Sequence, residues 1–348
     1  MKKIRVLHLI STDVFSGAEN VACQIIKKFE NNENYEMIYC SRLGKNEERL
    51  KKLNINILPI EKFNYYCVKE AIKKFKPNVI HGHDIKSSIL ASLFSNKIKV
   101  ISHIHANHEN MRKFNLKTFL YSLTIKRYSK IIWVSQSALD SFFYLNKVKN
   151  KSIVLYNVID SNALFDNLEK DNNEYDFDLV YVGRLNYQKN PERLIRIVDD
   201  VRCKIKNLKV AIVGDGDLKD NVKNIVKERN LNETVKFFGF MNNPYKVLYS
   251  SKLMIMTSRY EGTPMCALEA MTFGKPIIAT ITDGLADIIE NDKTGFLSNS
   301  DSELVGKILE ILNDEKKYTY MSNNVKRKNK EINNIEMYCE KMRRIYEE

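Results

Sequence analysis

The chain has 348 residues, 44% hydrophobic and 28% charged, the make-up of an ordinary globular protein with room for two domains. No apolar run reaches the ~18 residues of a membrane span, and the six cysteines show no C-x-x-C spacing, which points to reduced, mostly buried thiols and a cytoplasmic protein. The net charge of +13 is uneven: residues 1–150 carry 26 Lys/Arg against 12 Asp/Glu, and residues 151–348 carry 30 against 31. A basic first half suits an anionic partner such as lipid headgroups, nucleic acid or an acidic substrate.

The opening "MKKIRVLHLIST" is too short for a signal peptide and lacks a small-residue cleavage site, so it reads as a first buried strand. Short apolar runs follow: "YEMIYC", "NINILPI", "NVIHGH", "KVISHIH", "IIWVS" and "SIVLYN". Helical spacing separates several of them, as at residues 21–29 and 66–75. Short apolar strands alternating with helices predict βαβ units and a parallel sheet. A polar, acidic stretch at 166–178 reads as a linker. The pattern then restarts with "LVYVGRL", "LKVAIVGDG", "VKFFGF", "KLMIMTS", "PIIAT" and "GFLS", with helices at 191–201 and 218–229 between. The fold class is therefore α/β: two Rossmann-like, doubly wound lobes, 1–165 and 179–330. An amphipathic helix at 331–348 is expected to pack back on the first lobe. Ligands of such sheets bind beyond the carboxyl ends of the strands, here in the cleft between lobes.

The stretch "SRYEGTPMCALEAMTFGKP", 258–276, concentrates the chemistry. Thr263 is placed to cap a helix whose first residue is Pro264, and Gly262 permits close backbone approach. The start of that helix offers free N–H groups and a positive dipole end, which suit an anion. Glu261 precedes it. Glu269 lies in its second turn among apolar neighbours, where a carboxylate needs partners that ligand hydroxyls would supply. After the first strand of the second lobe, "YVGRLNYQKNPERL" carries Arg184 and Lys189, two cations suited to a diphosphate. Taken singly, these are also ordinary surface charges.

Together, "GRLNYQKN" and "SRYEGTPMCALEAMTFGKPIIAT" resemble the nucleotide-sugar half of the retaining GT-B glycosyltransferases of family 4, whose hallmark is a Glu, seven residues, then a Glu. Glu261 and Glu269 match that spacing. "SGAEN", "PNVIHGHD", "KVISHIHANH", "VLYNVID", "VGDGD" and "DKTGFL" extend the resemblance along nearly the whole chain.

The resemblance implies a GT-B fold with the acceptor on the first lobe and the donor on the second. It implies that Arg184 and Lys189 hold the donor diphosphate, with the backbone N–H groups of Gly262 and Thr263 assisting. Glu269 would take the ribose hydroxyls and Glu261 those of the transferred sugar. Gly17 would be the close-approach glycine of the first loop. His105 would contact the donor sugar, with His103 and Asn157 as secondary candidates. No metal or cofactor is implied beyond the co-substrate, a UDP-sugar. The expected acceptor is a glycan or lipid-linked glycan, with an anionic membrane surface as a further partner and nucleic acid excluded.

All six histidines fall within the first 108 residues, and the H-x-H pairs "HGH" and "HIH" share strand faces. That spacing admits a metal, but histidines bonding a polar ligand or loop are the expected reading. Gly214-Asp215-Gly216 is read as a turn, since Lys219 stands where a dinucleotide fingerprint has its third glycine. The mixed basic and aromatic segment 111–130 fits either a helix docked on the sheet or one resting on a membrane. Two other functions stay open: a non-hydrolysing nucleotide-sugar epimerase of the same architecture, and a non-catalytic glycan-binding homologue.

Overall fold

The computed structural model describes residues 3–15, 17–44, 46–105 and 111–348. The chain divides into two compact units, residues 1–157 with 335–348, and residues 158–334. The stretch expected as a linker begins inside the helix Ser161–Leu168 and ends inside a strand.

In the first unit, β1 (Ile4–Leu9), β2 (Tyr35–Cys40), β3 (Val79–Gly82), β4 (Lys99–Ile104), β5 (Lys130–Trp133) and β6 (Ser152–Val154) form one parallel sheet, ordered β2-β1-β3-β4-β5-β6. "NINILPI", expected as a strand, is not one. Leu58 N bonds Tyr39 O and Ile60 N bonds Ser41 O, yet only an isolated bridge forms, Tyr39 with Ile57. Its proline confines it to a sheet edge, and it stays a fringe along β2. Leu7, Leu9, Ile80, Val100, Ile131 and Trp133 build the core of this unit. The helix Ile335–Glu347 belongs to it, burying Tyr338, Met342, Ile345 and Tyr346.

In the second unit, β7 (Phe177–Val182), β8 (Val210–Val213), β9 (Val235–Gly239), β10 (Ser251–Met256), β11 (Ile277–Ala279) and β12 (Gly295–Leu297) form a parallel sheet ordered β12-β11-β10-β7-β8-β9. Strands covered by helices on both faces have no polar face to alternate with, so β8 reads Val-Ala-Ile-Val and is buried throughout. Leu179, Tyr181, Ile212, Leu253 and Ile255 lie in its core. Each fully buried side chain of this kind contributes about 1.5–3 kcal/mol.

The topology also places the sites. In the first sheet β2 and β3 lie on opposite sides of β1, and in the second β8 and β10 lie on opposite sides of β7. The loops leaving these pairs diverge, and a crevice opens beyond the carboxyl ends of the strands.

No helix of the described residues is long and apolar enough to cross a membrane. The cysteines are free; Cys23 and Cys40 are buried and Cys203 is exposed. Cys67, Cys266 and Cys339 are half-buried.

Candidate active site

In the second unit, the loops after β7 and β10 flank the switch point and are stitched together. Arg259 N donates to Gln188 O at 2.8 Å, and Gln188 Nε2 to Tyr260 O at 3.1 Å. Thr257 Oγ1 donates to the carbonyls of Lys189 and Asn190, at 3.1 and 2.9 Å. Asn190 takes a left-handed φ of 50°, which asparagine tolerates, and Pro191 then opens the helix Pro191–Arg202.

This stitching brings Lys189 to Glu261 across 72 residues of sequence. Lys189 Nζ donates to Glu261 Oε1 at 2.6 Å, and Ser258 Oγ donates to the same oxygen at 2.6 Å. The two charged side chains are 13% and 6% exposed, so the pair is desolvated. Burial works against the Lys189 charge, but Glu261 outweighs it and raises the pKa. The ammonium is therefore permanent at neutral pH. One of its three protons serves Glu261, and two remain for other acceptors.

Arg184 starts the same loop. It is exposed and forms no ion pair among the described residues, and Tyr181 Oη donates to its carbonyl at 2.9 Å. Gly262 and Thr263 follow Glu261 and are buried. A Cβ on Gly284 would stand 1.3 Å from the Gly262 carbonyl oxygen. Only glycine at 284 lets these two backbones meet, and that contact presses the Gly262 loop into place.

The helix itself runs Met265–Thr272, with Pro264 at the cap and no side-chain cap bond. Thr263 is therefore not the N-cap, as the spacing suggests. The Pro264 carbonyl accepts the first helical bonds, from Ala267 and Leu268, which shifts the helix start by one residue. Glu269 is buried in the second turn beside Leu268, Ala270 and Met271. Burial pushes the Cys266 thiol up to about 12 despite Lys189 nearby, so it is no nucleophile. Asp215 accepts from Gly216 N at 2.8 Å and from Lys219 Nζ at 2.7 Å; this aspartate closes its own turn.

The first unit is built differently. His8, His81 and His103 are fully buried in β1, β3 and β4, His83 follows β3, and half-buried His105 follows β4. The rings touch: His81 and His83 are 4.2 Å apart between centroids, and His103 and His105 3.9 Å. Burial, and after it the neighbouring rings, holds His81, His83 and His103 well below the usual imidazole range. Burial alone puts His8 and His105 at about 3. All five are neutral at physiological pH.

One chain of contacts determines which nitrogens carry protons. His8 Nε2 lies 3.5 Å from Met37 Sδ. A thioether has no proton to give, so His8 Nε2 is the donor and His8 Nδ1 must accept. His83 Nε2 therefore donates to His8 Nδ1 at 2.9 Å, and His105 Nε2 donates to His83 Nδ1 at 3.0 Å. His105 Nδ1 is left as a bare acceptor, without a partner among the described residues. A second chain runs from Tyr346 Oη to His81 Nδ1 at 2.9 Å and from His81 Nε2 to His103 Nδ1 at 3.2 Å, leaving His103 Nε2 unpartnered. Two triads, His8–His81–His83 and His83–His103–His105, bring ring nitrogens within 4.8 Å of one another, a spacing that suits a cation only if these imidazole bonds give way. His108 lies outside the described residues.

Gly17 opens the helix Gly17–Phe29 and is exposed. Asn157 is buried at the end of the first unit. So Lys189, Glu261, Gly262 and Thr263 come together in the second unit with Glu269 one turn on. His103 and His105 come together in the first.

Residues 15–163 match the model of Glycosyltransferase Family 4, and residues 165–328 match that of Glycosyl transferases group 1. The chain belongs to the family 4 glycosyltransferases of the GT-B fold. It is 29% identical over 242 residues to the uncharacterized glycosyltransferase MJ1059 of Methanocaldococcus jannaschii, covering 62% of this chain and 58% of that one. With the capsular polysaccharide biosynthesis glycosyltransferase CapH of Staphylococcus aureus it shares 26% identity over 77% of this chain and 78% of the relative. The fold matches HepE of Anabaena, solved in complex with UDP-glucose, at a TM-score of 0.84 with 18% identity and 98% of both chains covered.

Several residues of this glycosyltransferase's site carry no signal in sequence. Ser258 reads only as the end of a strand. Gly284 lies 22 residues beyond the loop it presses on. Met37 and Tyr346 sit far from the histidines they bond. Nothing local marks them, because each acts through a contact that tertiary folding makes.

Proposed function

We propose that this glycosyltransferase moves a hexosyl or N-acetylhexosaminyl group from a nucleotide-diphosphate sugar, a UDP-sugar, to a hydroxyl of a glycan or lipid-linked acceptor. The transfer retains anomeric configuration, needs no metal, and serves surface polysaccharide assembly, such as a capsule, on the cytoplasmic face of a bacterial membrane. The observation that carries this reading is the buried Lys189–Glu261 pair at the second switch point.

In this reading Lys189 turns its two remaining protons to the diphosphate, and Arg184 joins from the loop's start. Both stabilise the negative charge that grows on the leaving group. The start of the helix Met265–Thr272 faces the same phosphates with the backbone N–H groups of Gly262 and Thr263. Glu261 has Oε1 occupied by Lys189 and Ser258, so Oε2 takes a hydroxyl of the transferred sugar. Glu269 takes the ribose hydroxyls. In the first unit His105 Nδ1 accepts from a sugar hydroxyl, with His103 Nε2, Gly17 and Asn157 as further contacts of this reading. A leaving-group oxygen takes the acceptor's proton, which fits a site whose histidines are neutral and whose thiol is protonated.

A thermal-shift screen of nucleotide-sugars tests the reading. A ligand that binds only the folded state raises the melting temperature. A UDP-sugar is expected to raise it, and Glu269→Ala or Arg184→Ala to weaken that effect at least tenfold in concentration. No shift with any UDP- or GDP-sugar, or an undiminished shift in both variants, overturns it.

A further inference from the structure

The helix Leu116–Thr124 is inside out. Its buried residues are Thr118, Tyr121, Ser122 and Thr124. Its exposed face carries Leu116, Phe119, Leu120 and Leu123, at 70%, 38%, 43% and 58% exposure. A surface helix of a globular protein presents the reverse. The polar side chains are satisfied inward: Ser122 Oγ donates to Phe119 O at 2.8 Å, Thr124 Oγ1 to Tyr121 O at 2.8 Å, and Tyr121 Oη bonds Ser102 Oγ at 2.8 Å. The inversion is thus built in, with no buried hydroxyl left over to pull the helix round.

The apolar face is extended, not isolated. Phe114, 65% exposed, lies 6.1 Å from Phe119 and 6.3 Å from Phe143, ring to ring, and Phe143 is itself 49% exposed. Such a continuous patch marks an interaction surface.

Charge decides what it meets. Residues 111–151 hold nine Lys/Arg and one acid, Asp140. Lys117 within the helix and Lys113, Lys126 and Arg127 beside it are exposed and form no ion pair among the described residues. An apolar face inside a cationic collar is the pattern of a segment lying in a bilayer interface, where leucine and phenylalanine enter the acyl boundary and lysines meet anionic headgroups. A second copy of the chain would bring the same positive collar against itself, which like charges oppose.

We propose that the face formed by Phe114, the helix Leu116–Thr124 and Phe143 seats the first unit on an anionic phospholipid bilayer. This deepens the proposed function, since it rests on an acceptor that is lipid-linked and so lies at a membrane.

Sedimentation of the full chain with vesicles tests it, using phosphatidylcholine alone against phosphatidylcholine with one quarter phosphatidylglycerol. The protein is expected to follow the anionic vesicles, and less so as salt rises. Leu116→Ser/Leu120→Ser/Leu123→Ser is expected to weaken this at least about tenfold. Lys113→Ala and Lys117→Ala are expected to cost roughly fivefold each, a second route that leaves the helix's apolar residues in place. No binding by the wild type overturns the proposal. So does binding undiminished in both sets of variants, or a wild-type dimer that the leucine variant converts to monomer. The nucleotide-sugar shift of each variant should match the wild type. Anionic-vesicle binding without any nucleotide-sugar shift would sink the proposed reaction and leave the surface standing, and the opposite result would sink the surface alone.

Discussion

The two sheets use one topology and present opposite surfaces at their switch points. Beyond β7 and β10 stands a buried ion pair, Lys189 with Glu261, whose cation is reinforced by its partner. At the carboxyl ends of β1, β3 and β4, three within the strands and two just past them, stand five imidazoles that burial keeps neutral. The backbone decides where a ligand can lie in such a sheet, and the side chains at the strand ends decide its kind. In the proposed reaction the second unit would meet the charged diphosphate and the first would meet hydroxyls, one repeated layout carrying charge in one unit and neutral hydrogen-bonding groups in the other.

Removing the charge on one side should break this contrast most severely. Lys189→Ala leaves the Glu261 carboxylate buried without its counter-charge. Transfer is expected to fall at least about a hundredfold, and urea unfolding to show a loss of about 3–5 kcal/mol. Lys189→Met with Glu261→Gln should regain most of the stability and none of the activity. A Lys189→Ala enzyme of wild-type stability would mean the pair is not desolvated in solution.

Next comes the backbone contact that holds the charged side together. Gly284→Ala places a methyl group 1.3 Å from the Gly262 carbonyl oxygen. The loop must move, at about 1–3 kcal/mol, and nucleotide-sugar affinity should drop with it. Unchanged affinity by thermal shift would show that the Gly262 backbone does not face the ligand.

The neutral side should fail in acid. The folded pKa of His8, about 3, lies below its ordinary value of 6.5, so the unfolded chain binds the proton and the folded one refuses it. Stability is full above pH 6.5 and is lost as pH falls toward 3. At pH 5 the loss from His8 alone is about 2 kcal/mol; His81, His83 and His103 add to it in the same direction. Chemical denaturation at pH 7.5 and pH 5 measures this, and His8→Gln should flatten the slope. A first unit equally stable at both pH values would contradict the buried, neutral cluster.

The smallest effect is expected at Ser258. Ser258→Ala removes one of two bonds to Glu261 Oε1 and should cost about 1 kcal/mol, read as a modest rise in KM for the donor with kcat nearly kept. A kcat loss as large as that of Lys189→Ala would make Ser258 part of the reaction's machinery.

Much of this protein follows from its sequence alone. Short apolar runs alternating with helical spacing lead to two parallel α/β sheets, because strands buried on both faces leave no polar alternation. The one strand run that failed, "NINILPI", is as apolar as the others but carries a proline inside it, which keeps it at the sheet edge. That Lys189 and Glu261 could meet was legible, since loops after neighbouring parallel strands open on the same edge, while the grouping of Arg184 and Glu269 with them rests on the resemblance. Tertiary structure decided the rest. It joined Lys189 to Glu261 across 72 residues, gave Ser258 and Gly284 their tasks, and set the protons of His105 through His83, His8 and Met37. It also turned the helix Leu116–Thr124 with its leucines outward, which periodicity left undecided. Periodicity tells which side chains share a face; only the neighbours that pack against a helix determine which face meets water.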